Sequence, residues 1–141
     1  MSWLSDELAL ILRAKYGLVL IVTHEEGRAL TAAAEACTAL GVNRWVWSGV
    51  SGFEGGKSST TASEALTAVT NQQGAGVLVM VDVLPMLDDD PLLVRQIREF
   101  GRRAVAQGKA LWMISPRADL PPELLKEATV IDVPLPTSEE L

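Results

Sequence analysis

The sequence has very few cysteines and histidines. Its 141 residues include one cysteine, Cys37, and one histidine, His24. A single thiol has no partner for a disulfide, which fits a reducing cytoplasm, and its place among alanines predicts a small buried side chain. A lone imidazole beside Glu25 and Glu26 favours capping and surface roles over metal binding. We therefore predict no metal centre.

Positive charge and long apolar runs are also scarce. The chain has 12 lysines and arginines against 18 aspartates and glutamates, which gives a net charge of −6. Nucleic acid and anionic membranes are bound through clustered Lys and Arg, so the acidic balance argues against both partners. No apolar run approaches the roughly 18 to 20 residues of a membrane helix, and Asp6 and Glu7 interrupt the segment where a signal peptide would be continuous. We expect a soluble, cytoplasmic protein.

The sequence does contain alternating strand-like and helical patterns. The central strand-like run is VLVMVDV, residues 77–83, which is apolar without alternation, as is typical of a strand covered on both faces. The other strand-like runs are LVLIVT, RWVWS, KALWMIS and TVIDV. A chain of this length with 48% hydrophobic residues is long enough for one core. The alternation predicts a single three-layer α/β domain over residues 1–141, with five mostly parallel strands and helices on both faces.

Capping patterns predict the helix boundaries. Thr23 with Glu26, and Thr61 with Glu64, have the spacing of a capping box, and Asp90 before a proline is typical of an N-cap. Helix ends are predicted at Gly17, Gly41 and Gly108.

The tryptophans divide into two groups. Trp45, Trp47 and Trp112 lie in strand patterns and are predicted to be core residues, whereas Trp3 is expected to anchor an amphipathic N-terminal helix to the body of the domain.

One segment is close to a Walker phosphate loop. SGFEGGKS, residues 51–58, lies between a strand and a helix, where Gly-rich backbone can cradle phosphates, Lys57 can reach the terminal ones and Ser58 can hold magnesium. However, Ser51 occupies the position of the first Gly, and the loop follows the second strand rather than the first. We favour a surface loop with a solvated Lys57.

Asp82 ends the central strand, at the edge where open α/β sheets bind ligands and where a carboxylate can hold a metal. The next residue is Val83, where an ATPase carries a Glu that orients the attacking water. We therefore favour a carboxylate that accepts hydrogen bonds from loop N–H groups. Nucleotide binding, with ATP and magnesium as cofactors, stays open as the alternative and would use Gly56, Lys57, Ser58 and Asp82.

The last third of the chain, ISPRADLPPELLKEATVIDVPLPTSEEL, resembles the end of an AAA+ ATPase core. It has a fourth strand, a loop, a fifth strand and a proline-bearing turn before an acidic helix start. The whole chain is similar to the N-terminal, non-motor domain of the AAA+ proteins called hypothetical chloroplast reading frame forty-six, found in cyanobacteria, plastids and other bacteria. The matching segments are RAKYGLVLIVTHEEGRAL, RWVWS, VLVMVDV with its DDDP helix start, and DVPLPTSEEL.

This resemblance implies a degenerate fold of the P-loop NTPase and AAA type. In such proteins the complete Walker motifs belong to a following motor domain, so the chain is either an excised piece or a stand-alone relative. An AAA+ core has its phosphate loop after the first strand, but here that junction reads THEEGRAL, whose two acids would repel a nucleotide. By analogy with AAA+ loops that grip substrates after the second strand, Phe53, Glu54 and Lys57 are candidate interaction residues.

Three functional hypotheses follow. The first is a non-catalytic AAA+-associated domain without a cofactor, which acts in assembly or in recruitment of a substrate or protein partner to an AAA+ motor; a homo-oligomer also stays open. The second is a nucleotide-binding protein that uses the SGFEGGKS loop. The third is a small flavodoxin-like regulatory or receiver module, although Asp88 to Asp90 follow the wrong strand for a receiver's paired acids.

Overall fold

The computed structural model describes residues 2–54 and 60–134, and within them a mostly parallel sheet lies between two layers of helices. The strands are β1 Leu18–Val22, β2 Asn43–Ser48, β3 Gly52–Phe53, β4 Gly76–Val81, β5 Lys109–Ser115 and β6 Thr129–Asp132. The helices are α1 Trp3–Arg13, α2 Glu26–Leu40, α3 Ala62–Thr70, α4 Pro91–Ala104 and α5 Pro122–Leu125. Short 3₁₀ turns occupy Leu84–Leu87 and Val105–Gln107.

The strand order is β3-β2-β4-β5-β1-β6, and every neighbouring pair is parallel except β2 and β3. This confirms the predicted three-layer α/β architecture, with β4 paired on both sides. In that register Leu78 lies between Trp45 and Leu111. The strand count was wrong by one because β3 is a two-residue edge strand inside a Gly- and Ser-rich stretch, where no apolar pattern marks it.

The sheet separates two hydrophobic cores, because successive strand residues face opposite sides. In β4, Leu78 and Met80 pack in the core on the side of α3, α4 and α5. Val77 and Val79 pack in the other core, which receives α1 and α2. All four side chains are fully buried, and this explains the uninterrupted apolar run in the sequence.

The tryptophan predictions hold only in part. Trp47 and Trp112 are buried, but Trp45 is half-buried, and β3 pairs with the end of β2 at Trp47 and Ser48 without reaching Trp45. Trp3 is 52% exposed, so its predicted anchoring role is wrong. Leu4, which is fully buried, faces the core at this end of α1.

Most helix boundaries agree with the predictions. Thr61 and Glu64 form the complete capping box of α3, and the carboxylate of Asp90 accepts from the backbone N–H of Leu93. The residues at 41 and 108 are glycines in the left-handed conformation at the ends of their helices.

Two boundary predictions are wrong. The hydroxyl of Thr23 accepts from the N–H of Glu25 in a local turn, and α2 begins with Glu25 as an N-cap whose side chain does not cap the backbone N–H groups of the helix. The first helix ends at Arg13, and Lys15 rather than Gly17 adopts the left-handed conformation, with φ of 63°.

Candidate functional site at the carboxyl edge of the sheet

The carboxyl ends of the five parallel strands meet at one edge, which is where open α/β sheets place their ligand sites. The chain is closely tied together there. The N–H of Thr23 donates to the carbonyl of Ser115 at 2.9 Å, and the N–H of Asp82 donates to the carbonyl of Ile114 at 3.0 Å. The hydroxyl of Ser115 in turn accepts from the N–H of Arg117. The loops after β1, β4 and β5 therefore leave the sheet in defined directions.

The junction between β1 and α2 carries negative charge where a phosphate loop would need backbone donors. Glu25 is half-buried at the N-cap of α2, and its carboxylate accepts from the guanidinium of Arg28 at 3.3 Å. Arg28 also donates to the carbonyl of Pro134, which follows β6. His24 is exposed in this turn. The junction thus holds β1, α2 and the chain after β6 together.

Asp82 lies just beyond β4 and is exposed. Its φ of 57° turns the chain sharply out of the strand, which is why the central strand ends at Val81 and not at Val83. Within residues 2–54 and 60–134, no hydrogen bond to its carboxylate is found, so the loop N–H donors expected for it do not come from this part of the chain. Three further candidates, Gly56, Lys57 and Ser58, lie outside the described residues, and the phosphate-loop alternative stays a prediction.

Phe53 and Glu54 belong to the edge of the sheet. Phe53 is half-buried and pairs with Trp47 across the β2–β3 turn. The N–H of Glu54 donates to the carbonyl of Val46 at 2.8 Å, and its carboxylate lies 3.9 Å from the guanidinium of Arg44. Their backbone is therefore held by strand pairing, whereas Lys57, the third candidate interaction residue, lies outside the described residues.

Sequence reasoning missed a groove at this edge, which we call the Trp47 groove. It has a volume of about 460 Å³ and is lined by Trp47, Gly49, Thr60, Thr61, Ala62, Ser63, Glu64, Met86, Asp90 and Leu93. The indole N–H of Trp47 donates to the carbonyl of Thr60 at 3.0 Å and joins β2 to the start of α3.

Two strongly exposed apolar side chains are chain neighbours of groove residues. Val50, next to Gly49, is 92% exposed, and Leu92, next to Leu93, is 82% exposed. A sequence signal for Leu92 existed, because it falls outside the apolar stripe that Leu93, Ile97, Phe100 and Ala104 form on α4.

An ion cluster braces the neighbouring loops. The guanidinium of Arg117 contacts the carboxylates of Asp119 at 2.6 Å and Asp88 at 3.2 Å, and so joins the loops after β4 and β5. The hydrogen bonds from Arg117 lower the pKa of Asp119, while those carboxylates raise the pKa of Arg117. Acids already paired in this way are poor metal ligands, and the described part of the chain contains no group of three His, Cys, Asp or Glu side chains that could hold a metal ion.

The buried thiol agrees with its prediction. Cys37 lies on the buried face of α2, and this burial raises its pKa to about 11. The thiolate is therefore scarce at neutral pH, which is the opposite of what a nucleophilic cysteine needs. In addition, no helix within the described ranges is long and apolar enough to cross a membrane.

Comparison with known protein families gives a match to one family model. A family model described as the N-terminal domain of SpoVK-like AAA ATPases matches residues 4–133, almost the whole chain. The chain belongs to this family. The match runs from α1 through β6, so the SpoVK-like N-terminal domain includes both cores and the carboxyl edge. No curated protein matches the sequence.

The family assignment confirms the predicted relation to AAA ATPases at the level of an N-terminal domain. The narrower relation to hypothetical chloroplast reading frame forty-six stays a prediction.

Proposed function

We propose that this SpoVK-like N-terminal domain is a non-catalytic recruitment module, which binds a protein partner in the Trp47 groove and presents it to an AAA+ motor. The observation that carries the proposal is the exposure of Val50 and Leu92 beside an open groove at the carboxyl edge. Apolar side chains gain free energy when they leave water, and binding hot spots combine such groups with a pocket for an anchor residue.

The chemistry of the groove favours a particular kind of partner. Its lining includes Trp47, Met86 and Leu93, of which Met86 is 38% exposed, and this suits an apolar anchor side chain. Its rim includes the carboxylates of Glu64 and Asp90, and the chain carries a net charge of −6. A segment with one large apolar residue and flanking Lys or Arg fits this combination of shape and charge.

The electrostatics of the β1–α2 junction support recruitment over nucleotide binding. Phosphate sites at helix N-termini rely on backbone N–H groups and positive charge. Here Glu25 stands at the N-cap of α2 and Glu26 begins the helix. Neither a cofactor nor catalysis is therefore part of the proposal.

Photocrosslinking can test the proposal. A photoreactive residue at position 50 or 92 should crosslink to a protein partner, and the same residue at position 10, on α1, should not give that product. The partner is then purified and titrated into the domain by calorimetry, with the AAA+ motor segment of a SpoVK-like ATPase as a second titrant.

Charge introduced beside the groove should weaken partner binding. We expect the Val50→Asp/Leu92→Asp variant to bind the crosslinked partner about tenfold more weakly or worse, equivalent to about 1.4 kcal/mol. Both side chains are exposed, so thermal unfolding should be nearly unchanged. Equal affinity of the parent and the double variant for the same partner would contradict the proposal.

A further inference from the structure

Helix α1 has an apolar surface that the core does not use. We call it the outer α1 face and define it by Trp3, Asp6, Leu10 and Arg13. Trp3 is 52% exposed and Leu10 is 58% exposed, although Leu8 on the opposite side of the same helix is fully buried. An isolated exposed leucine needs no explanation, but here two large apolar groups are exposed on the same side of one short helix.

The spacing places these four residues on one side of α1. Trp3 and Leu10 are seven residues apart, which is nearly two turns, so they lie about 10.5 Å apart along the helix axis and in line with each other. Asp6 and Arg13 are also seven residues apart and lie together on one flank of that line. Their charges are opposite, and neither has an ion-pair partner among residues 2–54 and 60–134.

We infer that the outer α1 face binds a second copy of this chain, in an antiparallel helix pair whose two-fold axis passes beside Leu10. The charge pattern selects this arrangement. A two-fold rotation near Leu10 brings Asp6 to within about 1.5 Å, measured along the axis, of Arg13 of the partner subunit. The same contact occurs twice, so the pair gains two intermolecular ion pairs.

Other arrangements of the same surfaces lack this complementarity. In a parallel pair Asp6 would lie across from Glu7 of the partner subunit, and like charges in close contact are unfavourable. An antiparallel pair centred between Trp3 and Leu10 would bring like charges together near the axis. Asp6 would lie beside Asp6 of the partner subunit, and Glu7 beside Glu7 of the partner subunit. Only the register through Leu10 combines contact between the leucines with opposite charges on the flank.

The same register also brings Trp3 of each chain toward the other chain. Trp3 would lie just beyond the carboxyl end of the partner's α1, close to the segment that carries Tyr16, which is 49% exposed. An interface based on an 11-residue helix is smaller than those of stable dimers, which bury about 1,200 Å² or more. We therefore expect a weak, reversible dimer rather than a permanent one.

Sedimentation velocity of the 141-residue protein tests this inference. Between about 10 μM and 1 mM the weight-average mass should rise reversibly from the chain mass of 15.1 kDa toward twice that value. Leu10→Asp should lower the association constant at least tenfold, whereas Leu92→Asp, at a leucine on α4 that is more exposed than Leu10, should leave it unchanged. A protein that stays monomeric throughout, or that dimerises equally well as Leu10→Asp, would overturn the inference.

Charge exchange tests the antiparallel register. Asp6→Arg alone, or Arg13→Asp alone, places like charges against each other and should weaken dimerisation, and the double exchange should restore it. The double exchange opposes the helix dipole at both ends of α1, so it should also be the least thermally stable of the three variants. Restored association in the least stable variant is a result that helix damage cannot produce. Failure of the double exchange to recover association would exclude this register.

The inference is independent of the Trp47 groove. Leu10→Asp should remove self-association and leave partner binding intact, while Val50→Asp/Leu92→Asp should do the reverse. If either variant lost both self-association and partner binding, the two kinds of binding would share one surface. That result would overturn the assignment of separate surfaces to the outer α1 face and the Trp47 groove.

Discussion

At the residue scale, Leu78 shows how fully the central strand is enclosed. Its side chain is completely buried between neighbours on β2 and β5 and under the helices of one core. We expect Leu78→Ala to lower the free energy of unfolding by about 2 to 5 kcal/mol, because it removes apolar contacts and leaves a cavity. Leu92→Ala is the matched control, since that leucine is 82% exposed, and it should change stability by less than about 0.5 kcal/mol. Urea unfolding measures both, and equal losses would contradict the burial argument.

Two glycines allow the start of β1 to approach α4 closely. A Cβ added to Gly17 would overlap the carbonyl oxygen of Gly101, and a Cβ added to Gly101 would overlap the side chain of Leu18. The role of Gly17 is therefore this backbone contact and not the helix stop that its position in the sequence indicated.

Alanine substitutions separate this packing role from helix propensity. Gly101→Ala should destabilise the protein by about 1 to 3 kcal/mol, because the added methyl group overpacks a full core, despite the better helix propensity of alanine. Gly27→Ala, on α2, meets nothing within 4 Å and should instead stabilise by roughly 0.5 to 1 kcal/mol. Thermal unfolding of the two variants gives the comparison, and a stabilised Gly101→Ala would show that α4 can move away from β1.

At the scale of elements, α3 is held at both ends by specific hydrogen bonds. At its start, Thr61 and Glu64 bond reciprocally to each other's backbone N–H. At its end, the buried ammonium of Lys109 donates to the carbonyls of Thr70 and Gln72. A cation at the carboxyl end also complements the helix dipole, which explains how this lysine can be buried although no carboxylate in the described part of the chain pairs with it.

The N-terminal cap should make a measurable and pH-dependent contribution. Thr61→Ala is expected to cost about 0.5 to 2 kcal/mol at neutral pH, the usual effect of losing an N-cap. The hydrogen bond from the backbone N–H of Thr61, together with its side chain, lowers the pKa of Glu64 in the folded protein. The contribution of the ionised Glu64 is therefore present above its ordinary pKa and is lost as pH falls below about 4.3 and through the lowered value.

Glu64→Gln provides the test of that pH dependence. The parent should be more stable than Glu64→Gln at pH 7, and the difference in urea midpoint should shrink as the pH falls to 3. Comparing the two proteins at each pH cancels the titration of other acids, such as Asp119 and Glu127, whose pKa values are also lowered by arginine partners. A constant difference across this range would mean that the carboxylate charge has no role in the cap.

At the scale of the whole molecule, the central question is whether the AAA-type fold binds nucleotide. We expect neither ATP nor GTP with magnesium, at about 1 mM, to raise the melting temperature. A nucleotide that bound only the native state would raise it by mass action, so this measurement reports binding. Lys57→Ala and Asp82→Asn should melt like the parent protein, since asparagine also tolerates the left-handed backbone at position 82. A magnesium-dependent rise that Lys57→Ala abolishes would replace the recruitment proposal with nucleotide binding.

The sequence alone was sufficient for the architecture and much of the helix capping. Its strand-like runs are apolar on both faces and alternate with helical stripes, and only a parallel sheet covered by helices satisfies both patterns. Local hydrogen-bond chemistry predicted the caps at Thr61 and Asp90, since donor and acceptor are three residues apart and need no other element. The predicted capping box of Thr23 with Glu26 does not form, because the hydroxyl of Thr23 accepts instead from the N–H of Glu25 in a tighter turn.

Only the tertiary structure could decide which apolar residues remain in water and which segments meet at the carboxyl edge. The Trp47 groove joins β2, α3 and α4, which are far apart in the chain, and no periodic pattern records that they adjoin. Likewise, Trp3 and Leu10 have the same hydrophobicity as buried residues, and their exposure depends on the face of α1 that the core already occupies. The sequence pattern determined the helices and strands because their hydrogen bonds and apolar stripes span only a few residues. The Trp47 groove and the outer α1 face depend on contacts that form only when the whole chain has packed.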